Sequence, residues 1–346
     1  MMAFSGIGCG KKAKERLANT WPDVQGKDLP IPFPLTEAEV AELRTSLLEE
    51  GVDHAGEPLA VEEPPGTEEV EDSLDGEEAP PSEWAPDPLQ GADLDQIALD
   101  RAIDRGDHLA NKRLGCAECH GADYAGKLVA DAKPVWVWYA PNITRSGLTR
   151  DYTAADWDRI VRHGVKPDHT NATMPAVDYM RLSDREVSDL AAYIHSLPAV
   201  ERVQPETRYG LVGKMLMGSG KMPLAAEDIE HDADVPIYPP DESVSVEFGK
   251  HIAQPCVGCH GLEFNGGPIP GGPPSWPDAA NLTQADDGLK GWTETDFLQA
   301  MREGRRPDGT DIDKVMPWEL LGQLSDTELK SMWMYLETLE AIPTGE

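Results

Sequence analysis

Long apolar runs are missing from this chain. The longest aromatic–aliphatic stretch, residues 135–140, falls far short of the roughly 18 residues that a membrane-spanning helix needs. Cations are scarce as well: 30 Lys and Arg stand against 63 Asp and Glu, for a formal charge of -33. Binding nucleic acid through its phosphates requires clustered cations, so that class of function is excluded. The acidity accounts for solubility and self-repulsion, and it would also suit docking to basic patches on partners. The start, residues 1–8, has neither the charged opening nor the apolar core of a secretory signal. Cysteine is rare, with five at positions 9, 116, 119, 256 and 259, and four of these fall in two C-x-x-C pairs.

The chain is uneven along its length. Pro30, Pro32 and Pro34 prevent an early helix. Thr36 with Glu39 forms a capping-box signature, and Val40, Leu43 and Leu47 then share one helical face. From Thr45 to Asp100 there is no Lys or Arg, and acidic runs such as Glu62-Glu63-Pro64-Pro65 are poor in bulky apolar residues. Such a stretch buries too little surface to offset its ordering entropy, and reads as a disordered, extended spacer.

Beyond Leu94 the chain repeats itself. Gly115-Cys116-Ala117-Glu118-Cys119-His120-Gly121 matches Pro255-Cys256-Val257-Gly258-Cys259-His260-Gly261. Asn142-Ile143-Thr144 matches Asn281-Leu282-Thr283, Met174-Pro175 matches Met316-Pro317, and Leu182-Ser183-Asp184 matches Leu324-Ser325-Asp326. The offset holds near 140 residues, as expected of one domain present twice. Thr153/Asp156, Thr293/Asp296, Ser183/Glu186 and Ser325/Glu328 each carry the hydroxyl-x-x-acid pattern of a helix start. Val187, Leu190, Ala191 and Ile194, and in the other copy Leu329, Met332, Trp333 and Leu336, each make one buried stripe. Gly164 and Gly304 stand where helices bearing Trp157 and Phe297 should end. Few β-branched alternations compete, so the fold class is all-α. The expected organisation is an N-terminal segment over 1–48, a spacer over 49–92, one domain over 93–199, a Pro-rich linker over 200–240 and a second domain over 241–343.

C-x-x-C-H reads as covalent attachment of a c-type haem. Two thiols one helical turn apart can add to the two vinyl groups of one porphyrin, and the adjacent histidine then faces the iron. The residues are Cys116, Cys119 and His120 in the first copy, and Cys256, Cys259 and His260 in the second. A redox C-x-x-C would sit near a βαβ pattern, and the pairs of a zinc site usually lie about 15–20 residues apart; neither applies. Downstream of His260 there is no further histidine. Met301, Met332 and Met334 lie in expected helices, where packing is their ordinary role. Met316 precedes a proline in a loop, and Met174 does the same in register, which selects these two as the sixth ligands. His163 and His169 are rivals for the first iron, but their counterparts in the second copy are not histidines. Met180 reads as packing. Trp157 and Phe297 could wall the macrocycle or simply fill a core, and Asn142 and Asn281 could bond haem propionates or shape a turn. A thioether ligand favours ferrous iron, so two fairly positive couples are expected. The haem would replace part of the core in domains so poor in aromatics.

These residues resemble the class I cytochromes c: C-x-x-C-H near the start of the domain, Met-Pro in a late loop, then a closing helix. The likeness covers about Leu94 to Pro343. Two in tandem look like the diheme cytochromes that serve as electron-transfer subunits of bacterial periplasmic dehydrogenases and respiratory chains. The resemblance implies an electron carrier rather than an enzyme, two covalently bound haem c groups, and attachment of haem after export to the periplasm. It also implies redox partners: a dehydrogenase or quinol-oxidising complex as donor and an acceptor such as a terminal oxidase. The rival reading is a diheme peroxidase, which would need one iron left open. Ile7-Gly8-Cys9 followed by an acidic stretch is similar to a bacterial lipid-attachment site, although Gly6 departs from the bulky residue expected there. Cys9 is therefore either a membrane tether, with the true start upstream, or an incidental thiol.

Overall fold

The computed structural model describes residues 20–59, 87–222, 224–270, 272–273 and 275–345. Cys9 and most of the acidic stretch lie outside the described residues. The helices are α1 (Glu37–Glu50), α2 (Leu94–His108), α3 (Cys116–His120), α4 (Ala154–His163), α5 (Asp184–Ser196), α6 (Leu211–Gly218), α7 (Val246–Ile252), α8 (Val257–His260), α9 (Glu294–Glu303), α10 (Trp318–Leu321) and α11 (Asp326–Glu337). Their starts follow the local chemistry. Thr36, Thr153, Ser183, Thr293 and Ser325 each cap a helix, and the acid three residues on returns a bond to the cap's backbone. Each box satisfies backbone N–H groups that would otherwise lack partners. Gly164 and Gly304 end α4 and α9 in the left-handed conformation, at φ 63° and 66°.

Two compact units result, one over residues 1–33 and 101–346 and the other over 34–100. Both copies of the repeat fall in the first. Each copy brings the helix before its C-x-x-C-H against its closing helix. In copy one this is α2 on α5, with Gly106 facing the Asp189 carbonyl, and in copy two α7 on α11, with Gly249 facing the Ser331 carbonyl. A Cβ at either glycine would collide with backbone, so both crossings need glycine. The first core gathers Leu109, Leu114, Trp157, Val161, Val187 and Leu190; the second gathers Phe248, Ile252, Phe297, Leu329, Trp333 and Leu336. Residues 20–33 join copy one. Leu29 and Phe33 enter its core, the Lys27 backbone N–H donates to Asp158 at 2.7 Å, and Ser188 donates to the Pro30 carbonyl at 2.7 Å.

The all-α expectation needs correction. Three antiparallel strands, β1 (Lys127–Ala132), β2 (Trp136–Ala140) and β3 (Arg208–Tyr209), form a small sheet in the order β1-β2-β3. Val135 to Tyr139 is a β-branched and aromatic run, so it pairs with the neighbouring segment as a hairpin. Trp136 and Trp138 share a face, with centroids 5.9 Å apart, and Trp136 also meets Tyr209 at 6.5 Å. In the second copy the corresponding stretch is Gly- and Pro-rich and keeps a single bridge, Gly267 to Ala279. Copy one is therefore mainly helical with a small sheet, and among the described residues the matching stretch of copy two, nearly equal in length, forms no named strand.

In the smaller unit, α1 ends at Gly51 (φ 71°), Val52 bridges Pro58, and Arg44 pairs with Asp87 at 3.1 Å. Among the described residues no helix is long and apolar enough to cross a membrane.

Candidate cofactor sites

One turn of helix carries each C-x-x-C-H. In α3 and α8 both imidazoles are fixed in the same way: His120 Nδ1 lies 2.9 Å from the Pro141 carbonyl, and His260 Nδ1 lies 2.7 Å from that of Ala280. A carbonyl can only accept, so Nδ1 carries the proton and Nε2 keeps a free lone pair. That is the tautomer a metal ligand requires. Burial holds both imidazoles below the usual histidine range, against the opposing pull of those carbonyl bonds. They stay neutral at physiological pH. Burial also pushes the Cys116 and Cys256 thiols up to about 12, with the neighbouring cysteine of each pair adding to the effect. Catalytic and redox cysteines have lowered values, so these pairs lack the signature of a dithiol oxidoreductase.

The second copy surrounds a cavity of about 470 Å³. Cys259 and His260 line it together with Met316 and Pro317, and Leu289, Trp292, Phe297 and Met301 make much of its wall apolar. That size and lining are ordinary for a cofactor slot. Phe297 is both a core residue and part of this wall. The methionine loops are alike in detail. Ala176 N–H donates to the Met174 carbonyl at 2.9 Å, and Trp318 N–H donates to that of Met316 at 2.8 Å. Pro175 and Pro317 sit at the centre of these tight turns with matching angles, φ -76° ψ 65° and φ -78° ψ 53°. Met174 is half-buried, as Met316 is.

In copy one, Trp157 Nε1 and Tyr152 Oη are buried without a hydrogen-bond partner, and their rings meet edge to face at 5.8 Å. Unpaired buried donors are costly and call for an acceptor. Trp318 Nε1 is in the same situation in copy two. A soft sulfur, a neutral imidazole, paired thiols and an apolar wall together fit a haem.

Other candidates are engaged elsewhere. His163 Nδ1 faces His231 Nδ1 at 3.1 Å, and His169 Nδ1 lies 3.2 Å from the Trp21 carbonyl. Asn142 takes the turn role. Its Oδ1 accepts from Thr144 N–H and Oγ1, and its Nδ2 donates to the carbonyls of Val200 and Arg202. Asn281 repeats this with Thr283, Asp287 and the Ile342 carbonyl. Met332 is core. Unpartnered Tyr152 and Trp318 carried no signal in the sequence, because the lack of a partner emerges only after folding.

A family model described as cytochrome c oxidase, cbb3-type, subunit III matches residues 101–194, and one described as cytochrome c matches residues 246–340. Among curated proteins, the gluconate 2-dehydrogenase cytochrome c subunit of Pantoea cypripedii is 29% identical over 71% of this chain and 62% of its own length. An alcohol dehydrogenase (quinone) cytochrome c subunit of Gluconacetobacter polyoxogenes is 25% identical over 70% of this chain and 57% of its own. The chain thus spans less than two thirds of these relatives. A diheme cytochrome c-type protein of Cereibacter sphaeroides is 26% identical over 66% of this chain and 83% of its own. With two matching sites built on one repeat and a cytochrome model over each, the chain is a c-type cytochrome of two cytochrome c domains with two covalently bound haem c groups.

Proposed function

We propose that this chain takes single electrons from a dehydrogenase or quinol-oxidising complex and passes them to an acceptor such as a terminal oxidase, on the periplasmic side of a bacterial membrane. In this reading Cys116 and Cys119, and Cys256 and Cys259, hold the two porphyrins as thioethers. His120 and Met174 cap one iron, and His260 and Met316 cap the other. The observation that carries it is the placing of His260 and Met316 on one apolar cavity, each on a segment whose geometry recurs in the other copy. A closed six-coordinate iron exchanges electrons without binding substrate. The chain's own part is to keep the imidazoles neutral and oriented, supply the sulfurs, and exclude water from the ring. When bound, the haem supplies the one-electron couple. The relatives named as cytochrome subunits of dehydrogenases support a carrier role beside a separate catalytic subunit. A lipid tether at Cys9 would keep the carrier at the membrane.

The test is a haemochrome count with the visible spectrum of the oxidised protein. Two haems per chain, each with an iron–methionine charge-transfer band, are expected. A resting high-spin haem that reacts with peroxide would replace the relay with a diheme peroxidase.

A further inference from the structure

The two copies meet along a seam inside one compact unit, and the seam is built reciprocally. His251, on the helix before the second C-x-x-C-H, donates to Glu186, the acid of the cap on copy one's closing helix, at 2.8 Å. His108, on the helix before the first C-x-x-C-H, meets Glu328, the corresponding acid of copy two, also at 2.8 Å. Arg113, three positions before Cys116, completes the first pair. It reaches Glu186 at 2.6 Å and the His251 carbonyl at 3.0 Å, and both Arg113 and Glu186 are buried.

The segments nearest the attachment cysteines touch in the same crossed fashion. The turn Ala176–Asp178 that follows Met174-Pro175 packs against α8 and the residues before it. There the Asp178 carboxyl lies where any Cβ on Gly258, within the second C-x-x-C, would clash. The next residue, Tyr179, packs in the core that includes Cys116, and its hydroxyl points to the Leu114 carbonyl at 3.5 Å. On the other side α10, which follows Met316-Pro317, packs against Leu109–Arg113; a Cβ on Gly115 would lie 2.8 Å from Leu320 Cδ2. Consecutive residues therefore reach both copies: Asp178 lies against Gly258 within the second C-x-x-C, and Tyr179 reaches Leu114, two residues before Cys116.

We infer that this seam is the electron path between the two haems, crossing Asp178-Tyr179 and Leu320, which lie between the two segments that carry the attachment cysteines. The inference rests on the two-haem relay reading and assigns its internal step. With both haems bound, the step would oxidise one couple as it reduces the other; no bond would be made or broken, and no proton would be needed. Arg113, Glu186, His251, His108 and Glu328 are positioning residues that hold the two attachment segments in register.

The experiment uses the full holo-chain. An electron is injected by flash photoreduction with a soluble one-electron donor, and its distribution between the two haem signals is followed at several protein concentrations. Low-temperature EPR compares fully oxidised and half-reduced samples. A redistribution rate independent of protein concentration, and EPR lines of one haem altered by the redox state of the other, are expected. The double variant Glu186→Gln, Glu328→Gln should lose the concentration-independent phase while both haems keep their methionine bands. Redistribution that scales with protein concentration, or EPR lines indifferent to the other haem, would overturn the path even if the variant fails to fold. Two methionine-ligated haems with no internal exchange would leave the carrier reading standing and remove this one.

Discussion

At the scale of single residues, the proposed methionine ligands and the buried carboxyls give the sharpest tests. Met316 shares its cavity with His260, so Met316→Ala should abolish the charge-transfer band of one haem and lower that haem's potential, since the soft ligand favouring ferrous iron is gone. Met174→Ala should do so for the other haem, and a redox titration with visible spectroscopy would read both. An unchanged spectrum in the double variant would refute the ligand assignment. Asp178 offers a separate test. Burial pushes its carboxyl up to about 7, and Oδ1 has no hydrogen-bond partner. The native chain then binds more protons than the unfolded one between about pH 4 and pH 7, so this residue's contribution to stability falls as pH rises through that window. A shift of this size corresponds to about 4 kcal/mol. Asp178→Asn should flatten the stability profile between pH 5 and pH 8 in urea unfolding. The C-x-x-C-H motifs were legible from spacing alone, because covalent attachment needs fixed offsets. Asp178 was not, because an aspartate in a loop is ordinary until the neighbouring copy buries it.

Helix caps and the seam belong to the scale of elements. The caps were legible because a capping box depends on four consecutive residues and nothing else. Ser325→Ala removes the side-chain acceptor of one box and should cost about 1 kcal/mol, seen as a lower midpoint in thermal unfolding. The same cap acid has a second role in copy one that no local pattern reveals. Burial alone would raise Glu186, but the Arg113 guanidinium and then the His251 contact outweigh it and hold the carboxyl far below the usual range. Its stabilisation is thus fully present above the unfolded carboxylate value near 4.3 and is lost only as pH falls through the much lower folded value. Arg113→Met would leave that carboxylate buried without its cation and should destabilise by about 3–5 kcal/mol at pH 7. A loss well under 1 kcal/mol would mean that water reaches the seam. The hairpin of β1 and β2 escaped the reading for the opposite reason. Its aromatic run is short, and the adjoining segment that it pairs with, residues 127–132, shows no apolar–polar alternation.

For the whole molecule, charge and repetition dominate. With a formal charge of -33, encounter with a basic redox partner should be steered electrostatically and screened by salt. The second-order rate of electron transfer to a cationic acceptor protein should fall as ionic strength rises, in stopped-flow mixing. A rate that rises with salt would show that the acidic surface opposes docking.

What the amino-acid sequence determined unaided was the repeat, the two attachment motifs, the paired Met-Pro loops and the helix starts. Each depends on residues a fixed short distance apart, or on register between copies. Only the tertiary structure decided that Asn142 and Asn281 build turns, that residues 20–33 enter the first core, and that each copy's cap acid receives a histidine from the other copy. Those outcomes depend on which surfaces come together and which polar groups lose water, and neither is encoded in any one stretch of chain.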